Sequence, residues 1–437
     1  MELESVQLHQ TLTNRLLKKC LRGRAFPQRL KAATDVPRLA ARVELVPFPP
    51  VLSSGVFQEP ARVLTRWRRK VVGLVRRWSR WEFWPPWLFY PPVVAYIAYL
   101  GIRFRSWTLF TAANPAIPAS GFVGESKHQI LEHLRGAAAW LPHSTLLERK
   151  APTRRICEAE AFMRQHGLQF PVVLKPDAGQ RGSGVEIVRS REQLCTYLTQ
   201  AAAPVILQEY IPGKEYGVFY YRYPGEGRGR VFSVTEKRMP VLIGDGKRTL
   251  EELILADDRA VCMSDFYLRK NSESAHEVPA AGEKVQLVEI GTHCRGAIFL
   301  DGGDTITPEL EEVIDKIAKS FDGFCFGRFD IRVPSRQDFM AGRNLKIVEL
   351  NGVTSEATHI YDPKNSLFDA YRVLFQQWRV AFEIGQKNRE RGVLPTAVAE
   401  LLGMIGDYRG LAEQHQKSSA LRQINAARAL SAPGWRC

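Results

Sequence analysis

The chain has 437 residues, 45% of them hydrophobic and 24% charged; that is ordinary for a globular protein and leaves room for two or three domains with a full-size core. Of the net charge of +15, residues 1–80 account for +12, with 17 Lys+Arg against 5 Asp+Glu, so the basic excess belongs to an appendage. No recognition motif accompanies that basic arm, which argues against nucleic acid as a partner, and seven scattered cysteines without a Cys-x-x-Cys pair exclude a disulfide framework or a zinc site.

Met1 to Gln10 carries two acids and no apolar run, so no secretory signal is expected and the expected location is cytoplasmic. Residues 83–102 then run for twenty positions without a charge. Pro85, Pro86, Pro91 and Pro92 prevent a regular helix through the first half, and Val93 to Ile102 alone is too short to cross a bilayer. Arginines flank both ends, and Trp and Tyr favour the membrane–water interface. Three readings stay open: a buried structural segment, peripheral docking on the anionic inner face of a membrane, and a true span.

The next elements are strands. An apolar run from Phe170 ends in Lys175-Pro176. A loop with Gly179, Gly182 and Gly184 follows, and Val185 to Val188 forms a second strand. Glycines let such a loop bring backbone N–H groups close to phosphates, and Lys175 adds a point charge. The loop lies between strands and does not open a helix, so it is no Walker A loop. A helix is expected from Ser190 to Ala203. Pro204 to Tyr210 reads as a strand that turns at Pro212-Gly213, with Glu215 just beyond. There the backbone can meet an adenine edge, and a carboxylate can accept ribose hydroxyls.

Two polar clusters, Gly291 to Gly296 and Ser355 to Pro363, are candidates to touch an acceptor; in the second, His359 and Tyr361 stand out because they follow the metal strand described next. Helices are expected from Thr307 to Phe321 and from Asp369 to Ile384, the first opened by Pro308 and three glutamates. Between them lie Gly327-Arg328-Phe329-Asp330 and Val348-Glu349-Leu350-Asn351, each on a strand. Alternation puts Glu349 and Asn351 on one face, and Asp330 on a neighbouring strand completes a set of three oxygen donors. Hard oxygen ligands of this kind suit Mg²⁺ shared with substrate phosphates.

From about Phe122 to about Trp378 the chain resembles the ATP-grasp superfamily, nearest to D-alanine–D-alanine ligase, glutathione synthetase and cyanophycin synthetase. The order of motifs carries the resemblance: strand-Lys-Pro, glycine-rich loop, the Gln208 to Glu215 hinge, Gly-Arg-Phe-Asp, then Glu-Leu-Asn-Gly. Glu236 to Pro240 and Gly244 to Leu253 look like the matching stretch of cyanophycin synthetase. The resemblance implies an α/β (α+β) architecture, the ATP-grasp fold of two α+β subdomains clasping ATP. A basic and aromatic N-terminal extension stands where that family usually carries an α/β domain. The expected divisions are residues 1–80, a basic extension; 81–121, an aromatic and proline segment; 122–385, the ATP-grasp domain; and 386–437, a helical or flexible tail.

It also implies roles. Lys175 and Lys127 would bind phosphates under a flap containing Gly179, Gly182 and Gly184. Gln208, Glu209 and Ile211 would hold the adenine, and Glu215 the ribose. Asp330, Glu349 and Asn351 would bind two Mg²⁺ ions, with Mn²⁺ as a substitute. Arg328 would face the developing acyl-phosphate or tetrahedral oxyanion, and Lys237 or Arg238 the γ-phosphate. Gly352 would allow close backbone approach. The expected activity is an ADP-forming carboxylate–amine ligase working on small molecules. A thiol ligase, a kinase or a non-catalytic nucleotide-binding scaffold at a membrane are the alternatives.

Overall fold

The computed structural model describes residues 58–179, 182–292, 296–408 and 410. Most of the basic arm, residues 293–295 of the first polar cluster and the tail from 411 onward lie outside the described residues. The described part opens with helix α1 (Gln58–Ser79), two single turns (Trp81–Phe83 and Pro86–Phe89) and helix α2 (Pro91–Arg103). Pro91 and Pro92 occupy the first positions of α2, where the missing N–H would have no helical partner anyway. Among the described residues no helix is long and apolar enough to cross a membrane, so the spanning reading of residues 83–102 has no helix to carry it.

A four-stranded antiparallel sheet comes next, from β1 (Ser144–Leu147), β2 (Val172–Pro176), β3 (Glu186–Val188) and β4 (Val205–Glu209), in the order β1-β4-β2-β3. Helices α3 (Pro152–Gln165) and α4 (Arg191–Gln200) pack on it, with Ala159, Met163, Leu194 and Leu198 meeting Val172, Leu174 and Leu207. Ser190 caps α4 by accepting from the Gln193 N–H.

The chain then crosses at Gly213 into the second sheet. The φ of +113° and the Val333 carbonyl, 2.3 Å from where a Cβ would stand, leave room only for glycine there. Strands β5 (Lys214–Tyr221) and β6 (Arg230–Arg238) are followed by a small ribbon of β7 (Val241–Ile243) and β8 (Lys284–Gln286). Strands β9 (Ile298–Asp301), β10 (Phe326–Val333) and β11 (Lys346–Asn351) complete a five-stranded antiparallel sheet, ordered β11-β10-β5-β6-β9. Helix α5 (Pro308–Lys319) covers one face, its Leu310, Ile314 and Ile317 packing with Tyr216, Val218, Phe329 and Ile331. Thr307 caps it and Pro308 opens it.

Helix α6 (Leu367–Glu390) ties the early segment to this sheet. Ala370 and Leu374 pack with Phe89 and Val93, while Ala381, Phe382 and Ile384 share a core with Leu109, Phe110 and Phe326. Buried Asn114 adds a polar pin: its Nδ2 donates to the Phe326 carbonyl (2.8 Å), and its Oδ1 accepts from the Cys325 and Phe326 N–H groups. Residues 83–102 are therefore half inside the fold. Phe83, Phe89, Val93 and Leu100 are buried, whereas Trp87, Val94, Tyr99 and Ile102 are exposed.

Candidate active site

Strand alternation sorts the five-stranded sheet into two chemistries. Phe329, Ile331 and Val333 of β10 face the core under α5, so Arg328, Asp330 and Arg332 face the other way. Register then assembles the site. Asp330 pairs with Glu349 and Arg328 with Asn351 across β10 and β11, and Glu215 pairs with Arg332 on one side and Lys237 on the other. Gly217, opposite Asp330, leaves space for the Arg328 side chain, whose Cδ lies 3.2 Å from where a Cβ would stand.

The charges interlock. Lys237 Nζ lies 2.9 Å from Glu215 Oε1 and 3.0 Å from Asp330 Oδ2. Arg328 Nε donates to Asp330 Oδ1 (2.9 Å), and Arg332 donates to Glu215 Oε2 (2.8 Å). Burial alone would raise the Asp330 carboxyl, but Arg328 and Lys237 outweigh it and hold the group below the usual carboxylate range. Burial works against the charged forms of Lys237 and Arg328 too, yet Asp330 beside them keeps both firmly protonated. Deleting one member of such a buried network leaves an uncompensated charge, at a cost of about 3–5 kcal/mol.

Whether this face suits a divalent cation can be judged from its donors. Asp330 and Glu349 bring carboxylates and Asn351 a carboxamide, and the Asn351 Nδ2 is buried without a hydrogen-bond partner among the described residues. Among those residues no three His, Cys, Asp or Glu gather into a metal cage. The set is thus oxygen-only and incomplete, which fits Mg²⁺ where substrate phosphates supply the remaining ligands.

Lys175 comes from the other sheet, and Lys127 from the start of a short helix. Lys175, buried at the end of β2, donates to the Val348 carbonyl (2.9 Å) and to Gln208 Oε1 (3.1 Å), so it bridges the two sheets beside Glu349. Burial pushes its ammonium down to about 8, against the pull of Glu349. Lys127 donates to the Gly179 carbonyl at the start of the glycine loop. Asp177 fastens that loop to the helix Lys127–His133 by accepting from Ser126 Oγ (3.0 Å) and the His128 N–H (2.9 Å). Gly182 packs against Thr292, and Gly184 against Pro176.

One cavity of about 790 Å³ is lined by Lys127, Lys175, Gly179, Gly182, Lys237, Arg328, Asp330, Glu349, Asn351 and Tyr361. Other sequence candidates fall outside its lining. Gln208, Glu209 and Ile211 sit at the crossing between the sheets, where Glu209 accepts from the His143 N–H (3.0 Å) and the Ile211 carbonyl accepts from Arg332 (3.2 Å). Arg238, next to Lys237, points to the opposite face and binds Glu236, with 57% of its side chain exposed. Of the two γ-phosphate candidates only Lys237 reaches the cleft. His359 is turned away beside Asp301 and Asp362, and burial lowers its basicity. Gly352 does make a close approach, but to the Ser120 carbonyl, 2.3 Å from where a Cβ would stand.

Sequence reasoning missed three contributors. Glu125 lines the cavity with a buried Oε2 that has no hydrogen-bond partner among the described residues; burial pushes its carboxyl up to about 7, against the pull of Lys127. Glu356 accepts from the Tyr90 O–H (2.5 Å) and the Tyr361 O–H (3.1 Å), and its backbone carbonyl accepts from Arg328 (3.1 Å). Arg332 supports Glu215. Glu125 stands two residues from Lys127, so its position was readable; Glu356 lay inside the Ser355 to Pro363 cluster, in which only His359 and Tyr361 were singled out, and nothing local marked Arg332.

Residues 143–217 match the model of the RimK-like ATP-grasp domain. The chain is 25% identical over 212 residues to the glutathione biosynthesis bifunctional protein GshAB of Clostridium perfringens, covering 44% of this chain and 26% of that protein. It is 25% identical over 213 residues to cyanophycin synthetase of Synechocystis sp., covering 44% and 24%. Among solved structures it is similar to D-alanine–D-alanine ligase from Bacillus anthracis, at 15% identity and a TM-score of 0.36, over 61% of this chain and 69% of that one. The chain spans about a quarter of the length of these two curated relatives. The ATP-grasp resemblance and the α+β class expected from the motif order are borne out.

Proposed function

We propose that the chain is an ATP-dependent, ADP-forming carboxylate–amine ligase that makes an amide bond through an acyl-phosphate. The observation that supports it most is the cleft face of β10 and β11, where Arg328, Asp330, Glu349 and Asn351 share one surface beside Lys175. A carboxylate attacking a γ-phosphoryl group brings like charges together, so catalysis is chiefly positioning and electrostatics. Lys175 and Lys127 hold the phosphate chain, under a flap formed by the glycine loop. Lys237, kept charged by Asp330, meets the γ-phosphate. Arg328, fixed by Asp330 and the Glu356 carbonyl, faces the oxygen that gains charge at the acyl carbon. Asp330, Glu349 and Asn351 would hold Mg²⁺, two ions in this reading, which supplies neutralisation of phosphate charge. The attacking carboxylate oxygen takes the γ-phosphoryl group and ADP leaves; the amine nitrogen then attacks the acyl carbon, phosphate leaves, and the nitrogen gives up a proton.

ADP release from the purified protein against a panel of acids, each with amines, thiols or no nucleophile, tests this. Release that needs both an acid and an amine is expected. Release with a thiol, or phosphate transfer without any nucleophile, would replace the reading by a thiol ligase or a kinase, and no turnover at all by a binding scaffold.

A second reading concerns the early helices. On α1 Val71, Leu74, Val75 and Trp78 recur at the spacing of one helical face and are all exposed, beside exposed Arg68 and Arg77. With the +12 of residues 1–80, this favours peripheral docking on anionic membranes. Flotation with anionic vesicles at low salt, lost with neutral vesicles or high salt, is the expected result; a protein soluble under every condition removes the reading.

A further inference from the structure

The cavity does not end at the charged face. Beyond Arg328 its wall is formed by Trp81, Trp84, Phe89, Val93 and Ile97 from the early segment and by Trp378 from α6. The ledge is ordered by its own packing: Trp81 stacks on Phe89 (5.4 Å between ring centres) and on Tyr361 (5.7 Å), and Phe89 stacks on Tyr371 (5.4 Å). Glu356 marks the junction. It holds Tyr90 and Tyr361 on the aromatic side, and through its carbonyl it holds Arg328 on the charged side. Val94 stands at the rim, lining the cavity while 60% exposed.

A site that handled only small polar acids and amines has no use for such an arm. Phe89 and Val93 are already buried behind this wall, whereas Trp81, Trp84, Ile97 and Trp378 are only half-buried; these gain free energy by being covered, and the atoms that cover them must belong to a molecule whose other end reaches Arg328. We propose that one of the two condensing substrates carries an extended apolar or aromatic body, and that this body lies in the arm lined by Trp81, Trp84, Ile97 and Trp378. This deepens the ligase reading, on which the identity of the reacting ends rests; the occupancy of the arm does not depend on turnover. The early segment thereby acquires a role as the specificity wall of the site.

Binding separates the two ideas. Calorimetric titration of the full chain, saturated with a non-hydrolysable ATP analogue, would use straight-chain carboxylates from four to twelve carbons and the matching primary alkylamines. Affinity is expected to rise about fourfold per added methylene until the arm is full. The series that shows the rise, acid or amine, identifies the substrate with the apolar body. Val94→Glu places a charge at the rim and should flatten the rise, and Ile97→Trp should end it at a shorter chain. Undiminished binding of the ATP analogue reports that both variants are folded. Affinity independent of chain length in both series, or a rise unchanged in both variants, overturns the proposal. Absence of ADP release with chain-length-dependent binding intact would instead count against the ligase reading alone.

Discussion

The two faces of the five-stranded sheet are made by the same strands and differ in almost everything else. Under α5, Tyr216, Val218, Phe329 and Ile331 close a core with carboxylates only at its margin, Asp315 and, across from Tyr216, Glu236. One residue along each strand, Glu215, Arg328, Asp330 and Arg332 crowd charges onto the cleft side, with Lys237 across from them. Covering apolar surface stabilises the first face at about 25 cal/mol per Å². The second gains little net stability, because desolvating paired charges offsets most of their attraction. A face that folding does not need, but that is held in register by a face folding does need, is where chemistry is to be sought.

The widest contrast is expected from two substitutions. Glu349→Gln should abolish Mg²⁺-dependent ADP formation, a loss of at least about 100-fold, while the urea midpoint moves little. Wild-type turnover in that variant would break the assignment of the cleft face. On the other side of the sheet, Ile314→Ala should cost about 2–5 kcal/mol of stability and leave the rate per folded molecule unchanged. If the folded variant is inactive, the two faces are not separable.

Lys175→Ala gives a smaller effect and sharpens the comparison, because Lys175 reaches the cleft face from the other sheet. The loss of a charge-assisted phosphate contact should weaken binding of a non-hydrolysable ATP analogue about tenfold, roughly 1.4 kcal/mol. Unchanged affinity would mean that the glycine loop is an ordinary hairpin.

Much of the cleft was legible because its signals are local. The period-2 alternation around Arg328, Asp330, Glu349 and Asn351 needs only the strands to exist, and the helices opened by Pro308 and capped by Ser190 were readable from a few residues each. Lys237 and Arg238 show the limit. Both are basic and adjacent, and only the register of β6 against β5 decides that Lys237 faces the cleft. The aromatic stretch was harder still. Its composition suits an interface, a span or a core alike, and its placement depends on α6, with Ala370 and Leu374 against Phe89 and Val93 and Tyr371 donating to the Phe89 carbonyl, 282 residues away in the chain. Partners that distant leave no periodic trace.

Asp315, at the margin of the apolar face, gives the smallest and most selective test. Asp315 Oδ1 accepts from the Tyr220 O–H (2.7 Å) and the Gly229 N–H (2.8 Å), and Oδ2 pairs with Lys319 (2.6 Å). Burial alone would raise its pKa, but Lys319, Tyr220 and Gly229 favour the ionised form, and the carboxyl titrates below its ordinary value. A folded-state pKa below the unfolded one contributes stability that is fully present above the unfolded value, near 3.8, and is lost as pH falls through the folded value. Asp315→Asn should therefore destabilise by about 1–3 kcal/mol at pH 7, the range for hydrogen bonds to a charged group or a buried group left unpaired. In urea unfolding the gap to wild type should hold constant from pH 7 to pH 5 and narrow only below about pH 4. A gap that widens on acidification would mean that Asp315 is neutral in the folded protein, and its contacts with Tyr220 and Lys319 would then not be those of an ionised group.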